Sequence, residues 1–228
     1  MATQSKRNIV IEKEKSLKSL FLRWETLLVV LFIVVNVMNA SISKNYLNTA
    51  NLFTAISTFL VKGFIAFPMA YILVLGDIDL SVGSTVALSA TMLGVSYNAG
   101  LPMGVAVVIA LLCGTICGLI NGIILTKFTE LASMIVTLGT MTLYRGIAEM
   151  ILGSQSTGGL QNVTWFYNLY YARLGVVPYI FIIFCVLAVA FGFVLHRTTF
   201  GRYLYAIGNN RVVAHYSGIP VQTIRLIC

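Results

Sequence analysis

The sequence predicts an all-α fold, a polytopic bundle of transmembrane helices. Hydrophobic residues make up 58% of the 228 residues and charged residues only 10%, and the mean hydropathy is +0.91. So few charges could not cover the core of a soluble domain of this length. Apolar runs separated by polar turns recur along the chain, and a helix needs roughly 20 mostly apolar residues to cross a bilayer. The predicted environment is therefore the lipid bilayer.

About six apolar runs qualify as membrane spans. The second contains Lys62, Gly63 and Pro68, so we expect it to be kinked or packed inside the bundle. The fifth contains Arg145, which predicts either a shorter helix or an arginine that lines a polar cavity. The predicted spans are 24–40, 52–75, 82–97, 103–125, 131–152 and 176–195.

Positive charges predict the orientation of these spans. The formal charge is +8, and Lys and Arg cluster in residues 1–23 and between Arg197 and Arg225. Cytoplasmic loops of membrane proteins carry an excess of such residues, so both clusters are expected in the cytoplasm, as an even number of spans requires. In a soluble protein this charge would suggest nucleic-acid binding, but beside apolar spans it indicates topology, and we predict no nucleic-acid partner. The expected location is the bacterial inner membrane.

The same pattern divides the chain into four parts. Residues 1–23 form a basic cytoplasmic N-terminus with Trp24 and Arg23 as interfacial anchors, and 24–195 form the transmembrane domain. Residues 196–223 form a cytoplasmic loop. Residues 224–228 begin a further apolar run, so we expect a truncated chain.

The first informative motif lies between the second and third spans, from Gly76 to Ser84, and contains Asp77 and Asp79. Carboxylates at a helix boundary can sit in headgroup water, cap the third span with the help of Ser81, or line a polar cavity that passes solute. The sequence leaves these alternatives open. A two-carboxylate hydrolase is disfavoured because no second acid or base has a comparable setting, and a metal site would need more ligands.

Small and polar residues recur at helical spacing in the fourth and fifth spans. Glycines one turn apart let helices approach closely, and polar side chains on the same face can form hydrogen bonds across the contact. Helix packing and the lining of a translocation path both fit this pattern. The residues are Gly114, Gly118, Asn121 and Gly122 in the fourth span and Thr137, Gly139 and Thr140 in the fifth.

Other reactive side chains indicate no catalytic or metal centre. Cys113 and Cys117 lie one turn apart in an apolar helix, where small fillers are more common than ligands. His196 and His215 have no neighbouring nucleophile or carboxylate to form a catalytic pair. We therefore predict no enzyme activity, no cofactor and no metal, and the sequence contains no phosphate-binding G-x-x-x-x-G-K-[ST] loop.

The third motif is the loop that follows the sixth span, from Thr199 to Val221. Its Gly and Pro residues predict turns around one short helix. Such a segment can be a solvated connector, or a mechanical part that docks into a cleft on a soluble partner and transmits its movement.

Together these motifs resemble the permease family of bacterial ABC importers for ribose, arabinose, xylose, rhamnose and autoinducer-2. The resemblance covers nearly the whole chain and is carried by motifs in the family's order. These are Gly76 to Gly83, Asn121-Gly122, Thr137 to Gly146 with Arg145-Gly146, and Thr199 to Val221.

The resemblance implies the function and the partners. The chain is expected to translocate a sugar-like solute, of rhamnose or autoinducer-2 type, delivered by a periplasmic solute-binding protein. A separate ATP-binding subunit would drive transport, and a second permease subunit, identical or paralogous, would complete the path. An ATP-independent secondary transporter or channel is the alternative, disfavoured because such a carrier has no mechanical need for the coupling loop.

The resemblance also implies site residues. The expected coupling residues are Gly201, Arg202, Gly208, Asn210, Ala214, Gly218 and Pro220. The hypothetical substrate pathway comprises Asp77, Asp79, Ser81, Asn121, Thr137 and Thr140. The chain departs from the family where Val212 and Val213 replace a Glu-Ala pair, and it carries about six of about ten spans expected of the complete fold.

Overall fold

A computed structural model describes residues 24–153 and 156–228. The predicted N-terminal part, 1–23, with its interfacial anchor Arg23, lies outside the described residues. The chain divides into two compact units, with the boundary after Leu52. In the first unit, helix α1 (Trp24–Ile42) is followed by a turn in which the Tyr46 hydroxyl donates to Oδ1 of Asn36 over 2.8 Å.

The second unit contains the remaining helices, apart from the first turn of α2. In chain order the elements are α2 (Thr49–Val74), α3 (Val82–Asn98), α4 (Met103–Lys127), α5 (Ser133–Leu152), a 3₁₀ turn (Leu160–Asn162), α6 (Thr164–Tyr171), strands β1 (Arg173–Leu174) and β2 (Val177–Pro178), α7 (Tyr179–Arg197), α8 (Thr199–Asn209), α9 (Arg211–Tyr216) and α10 (Val221–Ile227). The all-α prediction is confirmed, because the described sheet consists of a single hairpin of two strands with two residues each.

Four of the described helices, α2, α4, α5 and α7, are long and apolar enough to cross a membrane. The other two predicted spans also form helices, but they are shorter or less apolar. The described apolar part of α1 covers Thr26–Ile42. Helix α3 has 17 residues and carries several Ser and Thr side chains. Six spans therefore remain a prediction, whereas a polytopic bundle is confirmed.

Helix α3 packs between α4 and α5, and these three helices form the centre of the second unit. Their shared core consists of Leu88, Cys117, Tyr144 and Ala148. The glycine stripe of α4 has different neighbours along its length. A Cβ on Gly114 would lie 3.1 Å from the Ser89 hydroxyl, and one on Gly122 would lie 2.9 Å from Cδ1 of Leu226, whereas Gly118 faces open space.

Helix α2 meets α7 through aromatic rings. Phe67 lies between Phe184 and Phe191, with ring centroids 4.8 and 5.5 Å apart. A Cβ on Gly63 would lie 2.7 Å from the ring of Phe184, so the glycine permits the close approach. Pro68 lies inside α2, which is one continuous helix from Thr49 to Val74.

The segment after α7 differs from the prediction of one short helix. It forms α8 and α9, with Asn210 at the junction, and then α10. A second core joins the three helices to the end of α2. Its buried members are Leu75, Leu204, Ile207, Ala214 and Ile224. Each helix is short, so its stability depends on this shared apolar contact.

The region before α7 also contains structure that the sequence did not predict. Helix α6 and the β1–β2 hairpin occupy part of the polar loop, with Arg173 paired to Pro178. The sixth span was predicted to begin at residue 176, but α7 begins at Tyr179 because Val177 and Pro178 belong to the hairpin. Pro178 precedes the first turn, a position that requires no backbone N–H from it.

Candidate functional site

The centre of the candidate site is an extended connector, residues 75–81, that joins α2 to α3. It runs beside helical segments of α4 and α5. Its first three backbone N–H groups still donate to carbonyls of α2, and the next peptide groups bond to side chains of α5. The backbone N–H of Ile78 donates to the Ser133 hydroxyl over 3.1 Å, and its carbonyl accepts from the Thr137 hydroxyl over 3.2 Å. Irregular backbone inside a bundle is stable only where such groups are satisfied by protein or water.

The connector reaches well into the bundle. The Asn121 amide donates to Oγ of Ser81 over 2.8 Å, and the Tyr144 hydroxyl donates to the Cys117 carbonyl over 3.0 Å on the same face of α4. Asn121 lies six residues before the end of α4, or about 9 Å along the helix. Helix α3 therefore begins inside the bundle rather than level with the end of α4.

Asp79 stabilises the start of α3 through a local turn. Its Oδ1 accepts hydrogen bonds from the backbone N–H and from the hydroxyl of Ser81, both over 2.7 Å. The Ser81 side chain itself makes no capping hydrogen bond to α3. This contact of Asp79 is closest to the capping alternative, because the carboxylate holds the first residues before α3, and Asp79 also lines the small cavity described below.

Asp77 is the most strongly paired charge of the site. Arg225, on α10, donates from Nε to Oδ2 over 2.7 Å and from Nη2 to Oδ1 over 2.9 Å, a bidentate contact. Nη2 of Arg211 lies 2.9 Å from Oδ1 of the same carboxylate. Arg225 also donates from Nη1 to the Leu125 carbonyl at the end of α4, over 2.7 Å. One buried carboxylate thus joins the connector to the helices that follow α7.

The two arginines determine the ionisation of this carboxylate. Burial raises the pKa of Asp77, but hydrogen bonds from Arg225 and Arg211 and their positive charges outweigh the burial and hold the pKa below its ordinary value. Asp77 is therefore ionised throughout the neutral range.

This pKa predicts how stability depends on pH. A carboxyl whose folded pKa is lowered contributes stability that is present above its unfolded pKa, about 3.9, and is lost as the pH falls through the folded pKa. We expect the difference in melting temperature between the wild type and Asp77→Asn to be constant from about pH 8 to 5 and to shrink below about pH 4. Thermal unfolding in detergent at each pH measures it, and a difference that shrinks between pH 8 and 6 would contradict the assignment.

The structure brings the predicted pathway residues together. Ser81 and Thr137 are each 1% exposed, and Asn121 and Thr140 are buried nearby. The Thr140 hydroxyl donates within α5, to the carbonyls of Val136 and Thr137. A cavity of about 90 Å³ adjoins them, lined by residues that include Asp79, Gly118 and Asn121. Of these polar groups, Ser81, Asn121 and Thr137 hold the connector in place.

Sequence reasoning missed four members of this cluster: Ser133, Tyr144, Arg211 and Arg225. The two arginines were interpreted only as topological charges. Arg225 is 9% exposed, between two apolar residues. A lone arginine in an apolar run was the available signal, because such a residue is rarely tolerated without a partner.

The predicted coupling residues have identifiable structural roles in α8 and α9. A Cβ on Gly201 would collide with the Leu195 carbonyl, and one on Gly208 with the Val74 carbonyl. Oδ1 of Asn210 accepts from the backbone N–H groups of Val212 and Val213 over 3.0 and 3.1 Å, which caps α9.

The remaining coupling residues comprise one buried residue of α9, two residues in the turn from α9 to α10, and one exposed residue of α8. Ala214 is buried in the second core. Gly218 has φ +80°, which favours glycine, and Pro220 precedes the first residue of α10. Arg202 is exposed on α8. Apart from Arg202, the residues that match the resemblance therefore fix the backbone or fill the core, and other side chains form most of the outer surface.

That outer surface is apolar. Val212, Val213 and Tyr216 of α9 are 63%, 60% and 86% exposed. They include the two positions where the sequence departs from the Glu-Ala pair. An exposed apolar surface at the end of a bundle is typical of a contact with another protein.

Comparison with protein families decides the classification. Residues 51–228 match a family described as the permease component of the branched-chain amino acid transport system. The chain belongs to this permease family. The resemblance seen in the sequence is confirmed, and the permease is a multi-pass membrane protein.

Named relatives of this permease are autoinducer 2 import system permease proteins LsrD. The protein of Enterobacter sp. (strain 638) is 34% identical over 205 residues, covering 88% of this chain and 62% of the relative. That of Klebsiella pneumoniae is 32% identical over 207 residues, covering 89% and 62%. That of Escherichia coli (strain K12) is 36% identical over 209 residues, covering 90% and 62%. This permease thus spans less than two thirds of these relatives' length. No solved structure matches it.

Proposed function

We propose that this chain is the permease subunit of a binding-protein-dependent ABC importer, and that it translocates a small sugar-like solute across the bacterial inner membrane. The observation that carries the proposal is the construction of the segment after α7. Helices α8 and α9 hold an exposed apolar surface at one end of the bundle, and Arg211 and Arg225 join the same segment to the connector inside it. A movement of that surface can therefore reach the connector through the ion pairs of Arg211 and Arg225 with Asp77.

The proposed partners follow from this arrangement. A separate ATP-binding subunit would receive α9, a periplasmic solute-binding protein would dock at the opposite end of the bundle, and a second permease subunit would complete the path. The basic residues near both ends of the chain support a cytoplasmic N-terminus, and with an even number of spans α8 and α9 would also lie in the cytoplasm.

The relatives named for autoinducer 2 import support a solute of the autoinducer-2 or rhamnose type. A binding protein would supply much of the selectivity. Within the permease, Asp77, Asp79, Ser81, Asn121, Thr137 and Thr140 would shape the path by fixing the connector, and Gly201, Arg202, Gly208, Asn210, Ala214, Gly218 and Pro220 would form the coupling segment.

The proposal is tested by reconstitution. The chain is expressed with the ATPase and the other subunits encoded beside its gene, purified in detergent and assayed for ATP hydrolysis. We expect a stable complex whose ATPase activity rises when solute-loaded binding protein is added. A chain that assembles with no ATPase subunit, while transporting solute, would overturn the proposal in favour of an ATP-independent carrier.

Gly218 offers a specific test of coupling. A β-branched residue at φ +80° is strained by about 1–2 kcal/mol, so Gly218→Val should shift the end of α9 without affecting the spans. We expect solute uptake per ATP hydrolysed to fall about tenfold, the factor that corresponds to 1.4 kcal/mol. Uptake and ATP hydrolysis are measured together in proteoliposomes.

Gly192→Val is the matched control, because a Cβ at Gly192 in α7 meets open space. It should insert and transport like the wild type. An unchanged ratio of uptake to ATP hydrolysis in Gly218→Val would contradict the coupling role of this turn.

A further inference from the structure

A charged pair on α5 remains outside the cluster around Asp77. Nε of Arg145 donates to Oε1 of Glu149 over 3.1 Å, and the two side chains are 75% and 69% exposed. Helix α5 is one of the described helices that can cross a membrane. Charged residues on such helices usually face a water-filled cavity or another protein rather than lipid.

This pair lines an open cavity between α3 and α5. The cavity has a volume of about 450 Å³, and small-molecule sites usually have roughly 300–1,000 Å³. Its polar wall consists of Ser84 and Thr91 from α3 and of Thr142, Arg145 and Glu149 from α5.

The connector separates this cavity from the smaller one described above. Leu80, at the end of the connector, lines the larger cavity, whereas Asp77, Ile78 and Asp79 line the smaller one beside Arg225. The larger cavity therefore adjoins the element that the coupling segment holds through Arg225.

The polar wall offers a specific combination of hydrogen-bonding groups. The hydroxyls of Ser84, Thr91 and Thr142 donate to the carbonyls of Ser81, Ala87 and Gly139 over 2.7, 3.0 and 2.8 Å. Each hydroxyl oxygen keeps a lone pair that can accept another bond.

The charged pair adds strong donors and acceptors to this wall. Among the described residues, no hydrogen bond uses the Nη groups of Arg145 or Oε2 of Glu149. The guanidinium can therefore donate and the carboxylate can accept, while the charges of the pair cancel. Such a wall suits a neutral molecule with several hydroxyl groups, since each hydroxyl both donates and accepts.

We propose that this cavity is a binding site for an uncharged, polyhydroxylated solute, with Arg145 and Glu149 as its principal polar contacts. The proposal deepens the importer function and rests on it for the role of the site. It assigns direct solute contact to the α3–α5 cavity, while the cluster around Asp77 holds the connector.

The first test measures access of water to the cavity. Thr142→Cys in membrane vesicles is treated with a membrane-impermeant, positively charged methanethiosulfonate, and the unsubstituted chain gives the background of the four native cysteines. Leu143→Cys is the matched control, because Leu143 is the adjacent residue, is 55% exposed and does not line the cavity. We expect Thr142→Cys to react about tenfold faster, because the reagent attacks the thiolate, which lipid disfavours.

The second test measures protection by solute. D-ribose, L-arabinose, D-xylose and L-rhamnose are each added at about 100 mM, enough to occupy a site of millimolar affinity. We expect at least one of them to slow modification of Thr142→Cys about tenfold or more, and the anionic sugar D-glucuronate to have little effect. The double variant Arg145→Met/Glu149→Gln keeps the site uncharged but removes its charged hydrogen-bonding groups, and the protecting sugar should bind about tenfold more weakly.

The outcomes separate this site from the importer function. Equal reaction of Thr142→Cys and Leu143→Cys would overturn the site, since the pair would then face lipid or a partner subunit. Modification that none of the four sugars slows would also overturn it. Neither result depends on ATP hydrolysis, so the reconstitution assay tests the importer function separately.

Discussion

Replacing Arg225 with methionine will lower the stability of the protein by about 3–5 kcal/mol, because it leaves the buried Asp77 carboxylate without its bidentate partner. The methionine retains much of the arginine's apolar bulk, so the loss will reflect charge and hydrogen bonds rather than a cavity. Arg211 stays within 2.9 Å of the carboxylate and offsets part of the loss, which places the expected effect near the lower end. Thermal unfolding in detergent, followed by circular dichroism, measures the change.

Arg202→Met is the matched control for this experiment. It removes the same charge from the same segment, but Arg202 is exposed on α8, so stability should change by less than about 0.5 kcal/mol. Equal effects of the two substitutions would contradict the role assigned to Arg225. Asp77→Asn combined with Arg225→Met should be less destabilising than the sum of the single substitutions, because the double variant contains no unpaired buried carboxylate.

Gly208→Ala will undock the end of α8 from α2. The added Cβ would collide with the backbone carbonyl of Val74, which cannot rotate away as a side chain could. Overpacking of this kind lowers the stability of the folded state by about 1–3 kcal/mol, occasionally more. This loss exceeds the stability gained from the higher helix propensity of alanine, about 1 kcal/mol. We expect faster trypsin cleavage after Arg211, whose ion pair with Asp77 depends on this docking.

Gly192→Ala serves as the reference, since a Cβ at that position on α7 meets no neighbour. Its cleavage rate after Arg211 should equal that of the wild type. An unchanged cleavage rate in Gly208→Ala would contradict the proposal that the close approach of α8 to Val74 holds this segment in place.

The long helices were predictable because lipid imposes a simple requirement on length and composition. The predicted segment 82–97 and the helix Val82–Asn98 differ by one residue, and α4 begins at Met103 as predicted. The glycine stripe of α4 was also interpretable, since spacing alone puts Gly114 and Gly122 on one face. The sequence does not indicate which residue packs against each glycine. In the tertiary structure, Gly114 lies against Ser89 and Gly122 lies against Leu226.

The pairing of Asp77 with Arg225 could not be predicted because 148 residues separate them. Charge near an apolar run satisfies the rule for cytoplasmic loops whether or not the side chain is buried. The sequence therefore assigned Arg225 a topological role that any exposed arginine could fulfil. Only the tertiary structure, in which α10 lies beside the connector, identifies Asp77 as the partner of Arg225.

The division of the coupling segment into several helices was missed for a local reason. Gly and Pro indicate turns, but Gly208 lies within α8 because a close approach to Val74 requires a residue without a side chain. The helix boundary falls instead at Asn210, whose side chain caps α9. Asn is a common cap, yet the sequence Asn209-Asn210 gives no indication of which residue has that role.

The long separation of Asp77 and Arg225 has a consequence for biosynthesis. At about 5–20 residues per second, a ribosome adds 148 residues in roughly 7–30 s, so Asp77 emerges well before its partner exists. During that interval the carboxylate must remain hydrated or be held by the insertion machinery. Helices α3, α4 and α5 can already pack together, while the connector acquires its ion pair with Arg211 only after α9 has been made and the bidentate pair with Arg225 only after α10. Assembly of this protein therefore has a late step that a pulse-chase experiment with Arg225→Met would expose as prolonged sensitivity to membrane proteases.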